Sequence, residues 1–236
     1  MPGLLGSKEL SSSITSENWK RAIELCLESP KAARSWSARE GFFEGAKTAD
    51  VLPIHEACAN GAPIEVIEAL IGAFEEGLRR PESAYNRLPL HIACRKNANI
   101  DVIRVLMARN PKAALEADNL GRLPLHYALS NGIQDDAIDI LMDEPNAARG
   151  IDKRGWIPLH VACQTGSSTR IVKTLLAAYP EGIVERTNKG TDVFECISHA
   201  VAPNKLEVAQ VLQVAKVEWE RNWRPSTPRE SELLLL

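Results

Sequence analysis

The chain has 236 residues with 28 basic and 31 acidic side chains, and so slight an acidic balance gives no global reason to bind nucleic acid or an anionic membrane. Aromatic residues make up only 5% and the cysteines number five, which suits thin helical layers of aliphatic side chains in a reducing compartment, cytoplasmic or nuclear, and not a disulfide framework. No apolar run approaches the roughly 20 residues of a membrane span, the first residues lack the basic and apolar regions of a signal peptide, and Pro2 excludes an N-terminal glycine for myristoylation.

Residues 1–15 are small and polar around Ser11, Ser12 and Ser13, and they read as a mobile N-terminus. Trp19, Ala22, Ile23, Cys26 and Leu27 then recur at helical spacing, and Pro30 ends that helix. Ser29-Pro-Lys-Ala-Ala-Arg34 echoes Asn110-Pro-Lys-Ala-Ala114 and Glu144-Pro-Asn-Ala-Ala-Arg149. Residues 16–50 are therefore expected to be a partial capping repeat with an aromatic insertion, whose Trp36, Phe42 and Phe43 fold back over the cap.

From there the chain repeats itself. Leu52-Pro-Ile-His-Glu-Ala-Cys58 returns as Leu88-Pro-Leu-His-Ile-Ala-Cys94, Leu123-Pro-Leu-His-Tyr-Ala-Leu129 and Ile157-Pro-Leu-His-Val-Ala-Cys163, with histidines spaced by 36, 35 and 34 residues. A period of that size marks a stacked repeat. In each unit proline is suited to start a helix, a turn rich in Gly and Asn follows, and an apolar stripe such as Ile64, Val66, Ile67 and Leu70 predicts a second helix. The units are 51–85, 86–120, 121–154 and 155–189. A fifth, 190–223, is degenerate, with Val193 in place of proline and Glu195 in place of histidine. Its second helix, from Leu206 to about Trp223, has the polar outer face an end cap needs, with Trp219 and Trp223 expected to seal the final layer. Residues 224–236 are rich in Pro, Ser, Thr, Arg and Glu and read as a disordered tail.

Pro-Leu-His-x-Ala at a period near 34 residues resembles the ankyrin repeat, whose signature is Thr-Pro-Leu-His-x-Ala. The resemblance implies an all-α, helix-turn-helix repeat solenoid with projecting loops at Asp118-Asn-Leu-Gly121, Asp152-Lys-Arg-Gly155 and Thr187-Asn-Lys-Gly190. It also implies a non-catalytic protein–protein interaction scaffold, a monomer that holds another protein on its concave, loop-bearing face. One departure is consistent: Leu52, Leu88, Leu123 or Ile157 stands where the family has threonine. The threonine hydroxyl can cap the helix, and a lost cap costs about 0.5–2 kcal/mol. The apolar replacement is expected to recover that by burial, and the histidines to find backbone carbonyls as acceptors.

His-x-x-Cys recurs in three repeats and raises metal binding or a Cys–His nucleophile. Successive pairs belong to layers about 10 Å apart, whereas zinc draws four ligands to about 2.0–2.3 Å. Neither a phosphate-cradling glycine loop nor a nucleophile with a base and an orienter appears. No metal, cofactor or catalytic residue is therefore expected, and a small hydrolase embedded in the repeats is the weaker alternative.

The resemblance places partner contacts on two residues before each loop glycine, one after it, and two late in the first helix. Carried onto three repeats these are Ala84, Tyr85, Arg87, Arg95 and Lys96; Asn119, Leu120, Arg122, Ser130 and Asn131; and Lys153, Arg154, Trp156, Gln164 and Thr165. Six of the fifteen are basic and none is acidic. The expected partner thus presents an acidic segment, with Trp156 as aromatic anchor and Tyr85 and Leu120 as apolar contacts. Nucleic acid in the same basic groove is the alternative, disfavoured because six charges on a net-negative chain steer proteins better than they grip a duplex.

Overall fold

The computed structural model describes residues 2–43, 45 and 48–222, with side chains from residue 6 onward. Residues 224–236, expected to be a disordered tail, lie outside the described residues, as does Trp223. Twelve helices among the described residues form two rows. The inner row is α1 (Pro2–Thr15), α3 (Pro53–Ala59), α5 (Pro89–Arg95), α7 (Pro124–Ser130), α9 (Pro158–Thr165) and α11 (Val193–His199). Each inner helix packs on the next, in chain order. The outer row is α2 (Trp19–Glu28), α4 (Ile64–Ala73), α6 (Ile100–Arg109), α8 (Asp135–Leu141), α10 (Thr169–Ala178) and α12 (Lys205–Asn222). This is a helical repeat solenoid.

Local chemistry explains the layers. Proline opens α3, α5, α7 and α9 at the first helical position, where its missing N–H has no partner to lose. Gly61, Gly132, Gly166 and Asn97 turn the chain into the second helix with φ between +54° and +73°, a region these two residue types tolerate. Each outer helix from α2 to α10 leads into a short 3-10 turn, and proline opens four of the five. Ala32, Ala33, Ala113, Ala114, Ala147 and Ala148 in these turns are buried, which is why the Pro-x-Ala-Ala echo recurs in the sequence.

Each layer closes its core with aliphatic side chains. Leu106 and Leu141, equivalent positions in α6 and α8, are 1% and 0% exposed. Leu106→Ala and Leu141→Ala are each expected to cost about 2–5 kcal/mol, read as a lowered urea midpoint; unchanged midpoints would contradict a packed layer at these positions. Leu52, Leu88, Leu123 and Ile157, which replace the capping threonine, are 0–6% exposed. Their burial between layers supplies what the hydroxyl would have given.

The first layer departs from the expected mobile terminus and partial repeat. Residues 2–15 are α1, which packs on both α2 and α3, so the first layer has both of its helices. Leu10 and Ile14, four residues apart, are 0% exposed. The Ser11 hydroxyl donates to the buried Glu56 carboxylate at 2.6 Å, and Arg39 pairs with the same carboxylate. The insertion is a hairpin, β1 (Ser37–Glu40) antiparallel to β2 (Thr48–Val51) with Ser37 opposite Val51. Its Phe43 is 4% exposed, whereas Trp36 stays 47% exposed. Packing over the cap therefore holds for Phe43 and not for Trp36. At the far end Trp219 packs on the core of the last layer.

Candidate loop-bearing interface

Each of the four repeat histidines bonds the start of its own inner helix, and three of them also tie it to the next layer. The imidazole Nδ1 accepts the backbone N–H of the residue before the helix: Leu52 at 2.9 Å, Leu88 at 3.2 Å, Leu123 at 3.1 Å and Ile157 at 3.3 Å. With Nδ1 an acceptor, Nε2 carries the proton. It donates across to a carbonyl of the next connecting segment: His55 to Arg80 at 2.9 Å, His91 to Arg122 at 3.2 Å and His126 to Trp156 at 3.0 Å. His160 faces the degenerate fifth unit, and its buried Nε2 finds no hydrogen-bond partner among the described residues. The carbonyl acceptors expected from the missing threonine are thus present for three of the four.

Burial fixes the charge state of these groups. It lowers all four histidines below their ordinary value of 6.5, His55 and His91 to about 4. It raises the thiols, Cys26 to about 11 and Cys58 to about 12, with Cys94 and Cys163 pushed up as well. A protonated buried thiol is a poor nucleophile, and both nitrogens of His55, His91 and His126 are already engaged. Among the described residues no group of three or more His, Cys, Asp or Glu is placed to hold a metal ion, and no helix is long and apolar enough to cross a membrane.

The loops are zipped edge to edge. Asn119 N–H donates to Tyr85 O at 2.8 Å, Lys153 N–H to Leu120 O at 2.9 Å and Asn188 N–H to Arg154 O at 3.0 Å. The hairpin joins the row through Ser83 N–H to Asp50 O at 3.2 Å and Asp50 N–H to Ser83 Oγ at 2.8 Å. Close approach demands glycine at the turn: a Cβ on Gly155 would lie 2.6 Å from Asn188 N, and φ there is +78°. Each loop is also braced from within. One oxygen of Asp118 accepts the N–H groups of Leu120 (2.8 Å) and Arg122 (3.0 Å), and one of Asp152 accepts those of Arg154 (2.8 Å) and Trp156 (2.9 Å). Glu82 does the same for Tyr85 and Arg87.

This bracing sorts the expected contact residues. Arg87 is 2% exposed, donating to Asp118 at 3.2 Å and to the Tyr127 hydroxyl at 2.8 Å, while that hydroxyl donates to Asp118 at 2.6 Å. Its guanidinium also stacks on Tyr85 (4.4 Å), Tyr127 (5.0 Å) and Phe43 (5.1 Å). Burial pushes the Asp118 carboxyl up, but these bonds outweigh it and leave the pKa below its ordinary value. The reading of Arg87 as a contact residue is therefore corrected: it is a buried structural cation. Arg122 makes the same link one repeat on, to Asp152 at 3.3 Å, and is half-buried over Tyr127.

The other residues are accessible. Arg95 and Lys96 end α5, Gln164 lies late in α9, and Asn119, Leu120, Lys153 and Arg154 form the loop tips. Trp156 is half-buried, its ring 5.9 Å from that of His160. Tyr85 is half-buried against Phe43 at 5.7 Å. Among the described residues the side chains of Arg95, Lys96, Lys153 and Arg154 make no ion pair, whereas every arginine on outer helices α2 to α10 has one: Arg21, Arg104, Arg109 and Arg170. Lys189 is exposed on the next loop tip. It lies outside the three repeats onto which the resemblance carries contacts, and its place immediately before Gly190 is the signal that marks it in the sequence.

Stacked helix pairs with glycine-turned, zipped loops define a class, the helical repeat proteins that present a rigid row of loops. A model of ankyrin repeats matches residues 54–149 in three copies, and an ankyrin repeat matches residues 154–186, together more than half of the chain. The chain belongs to the ankyrin repeat family, whose repeats generally mediate protein–protein interaction. No curated protein matches it. The matched span leaves out the first and last layers, which the structure supplies as α1–α2 and α11–α12.

Proposed function

We propose that the protein is a scaffold that holds a partner protein on its loop-bearing, concave face, and that the partner contributes an acidic segment. The observation that carries this reading is the contrast in charge pairing. Among the described residues Arg95 and Arg154 make no ion pair, whereas Arg21, Arg104, Arg109 and Arg170 on outer helices α2 to α10 are paired on the protein itself, and Lys96 and Lys153 add exposed charge beside the first two. A carboxylate-bearing ligand meets these cations without first breaking an internal pair. Trp156 and Leu120 offer apolar contact beside them, and arginine and tryptophan are frequent hot-spot residues. The zipped loops hold these groups in place before binding, which lowers the ordering cost of association. The contact set in this reading is Tyr85, Arg95, Lys96, Asn119, Leu120, Lys153, Arg154, Trp156 and Gln164, with Arg122 contributing its exposed edge.

Site-specific photo-crosslinking in native lysate tests it. A photoreactive side chain at Leu120 or Gln164 is expected to yield one protein adduct in common, and the same group at Arg104 on the outer face none. Adducts from Arg104 alone would place the partner on the outer helices and overturn the proposal.

A further inference from the structure

The row of zipped loops has a chemical order of its own. In each loop one residue stands immediately before the residue with left-handed backbone: Tyr85 before Asn86 (φ +59°), Leu120 before Gly121 (+75°), Arg154 before Gly155 (+78°) and Lys189 before Gly190 (+81°). The zipper sets these four in register. The carbonyls of Tyr85, Leu120 and Arg154 each accept the N–H of the residue that precedes the next member of the series. Layer by layer the series reads aromatic, aliphatic, cationic, cationic. Tyr85 is half-buried, Leu120 is 38% exposed, and Arg154 and Lys189 are exposed. The loop acids Asp118 and Asp152 are buried, their oxygens held by loop N–H groups and by Arg87 or Arg122. Neither pairs with Arg154 or Lys189.

We propose that the partner's acidic segment crosses the loop tips as a polyproline-type stretch whose every third residue meets one loop, in the order apolar, apolar, acidic, acidic from Tyr85 to Lys189. This rests on the scaffold reading above and adds a spacing and a polarity to it. Packed helix layers stand about 8–10 Å apart. A polyproline-type chain advances about 9 Å in three residues, one full turn, and so presents every third side chain on the same side. A β-strand advances about as far in three residues but turns the third side chain to the opposite face, so it does not match successive loops. Tyr85, stacked on Phe43 at 5.7 Å, and Leu120 give the first two positions apolar ground, and aromatic surfaces suit proline-rich chains. Arg154 offers a bidentate fork to the first carboxylate, and Lys189 takes the second. The stretch is already extended before it binds and the loops are already tied together, so little ordering cost remains.

Labelled synthetic peptides titrated against the full chain by fluorescence anisotropy at low salt test the spacing and the order. The probes are Leu-Pro-Pro-Leu-Pro-Pro-Glu-Pro-Pro-Glu, its reversed sequence, and the same composition interleaved as Leu-Pro-Pro-Glu-Pro-Pro-Leu-Pro-Pro-Glu. One of the first two is expected to bind about ten-fold more tightly than the interleaved peptide. A Lys189→Leu variant is expected to prefer the peptide whose terminal glutamate is replaced by leucine, a gain that a misfolded protein cannot produce. Arg104→Glu, on the outer row, is expected to leave all affinities unchanged. Equal affinity for the ordered and interleaved peptides would overturn the proposal; if that shared binding weakens with salt, the acidic-partner reading stands without it. Binding by none of the peptides would overturn it as well, and the cross-links from Leu120 and Gln164 report on the scaffold reading separately.

Discussion

Lowering the pH from 7 to 4 is expected to destabilise the repeat stack strongly, with a loss of about 3 kcal/mol from each of His55 and His91. Both are buried neutral, with folded pKa lowered by burial to about 4 from 6.5. Protonation would also turn Nδ1 into a donor facing the N–H of Leu52 or Leu88, to which it is now the acceptor. The sign follows from which state holds the proton more tightly. The unfolded chain does, so stability is full above about pH 6.5 and falls as the pH drops toward 4. His126 and His160 are lowered in the same direction and add to the loss. Asp118 acts in a lower window, because its depressed pKa keeps its contribution until the pH falls through that value. Against a total of about 5–15 kcal/mol for a folded protein, the histidines alone remove a large share. Urea midpoints followed by circular dichroism at pH 7 and pH 4.5 check this; equal midpoints would contradict the neutral, bonded histidines.

Arg87→Ala is expected to destabilise the protein by about 3–5 kcal/mol, because it leaves the Asp118 carboxylate buried with its charge unanswered. It also removes the bond to the Tyr127 hydroxyl and the stack against Tyr85 and Phe43. Reversal of exposed Arg154, which has no ion pair among the described residues, is expected to leave stability within about 0.5 kcal/mol. The pair of variants separates structural cations from accessible ones in a single urea series. A near-neutral Arg87→Ala would contradict the buried network.

The repeat layers are legible in the sequence because a 34–36-residue period and proline-started helices state them locally. The first layer is not, because α1 lacks the Pro-Leu-His motif and its serine cluster masks the core pair Leu10 and Ile14. One of its anchors is Glu56, which lies 45 residues from Ser11 in the chain. The site shows the same divide. Its positions follow from distance to the loop glycine, but whether a cation is free depends on the neighbouring loop. Arg87 and Arg122 both follow the turn residue of their loops, yet Asp118 draws the first fully inward while the second stays half-buried against Asp152, and Arg154, before its glycine, faces solvent. The spent state of the histidines was partly legible: losing threonine forces another bond, and the carbonyl that takes it belongs to the next layer.

The most direct measurement is the affinity of the cross-linked partner for wild type and for an Arg95→Glu/Arg154→Glu variant, taken across a salt series. Wild-type binding is expected to weaken as salt rises, and the variant to bind about ten-fold more weakly at low salt with a flatter salt dependence. Identical affinity and identical salt slope in the two proteins would contradict an acidic partner segment on the loop-bearing face.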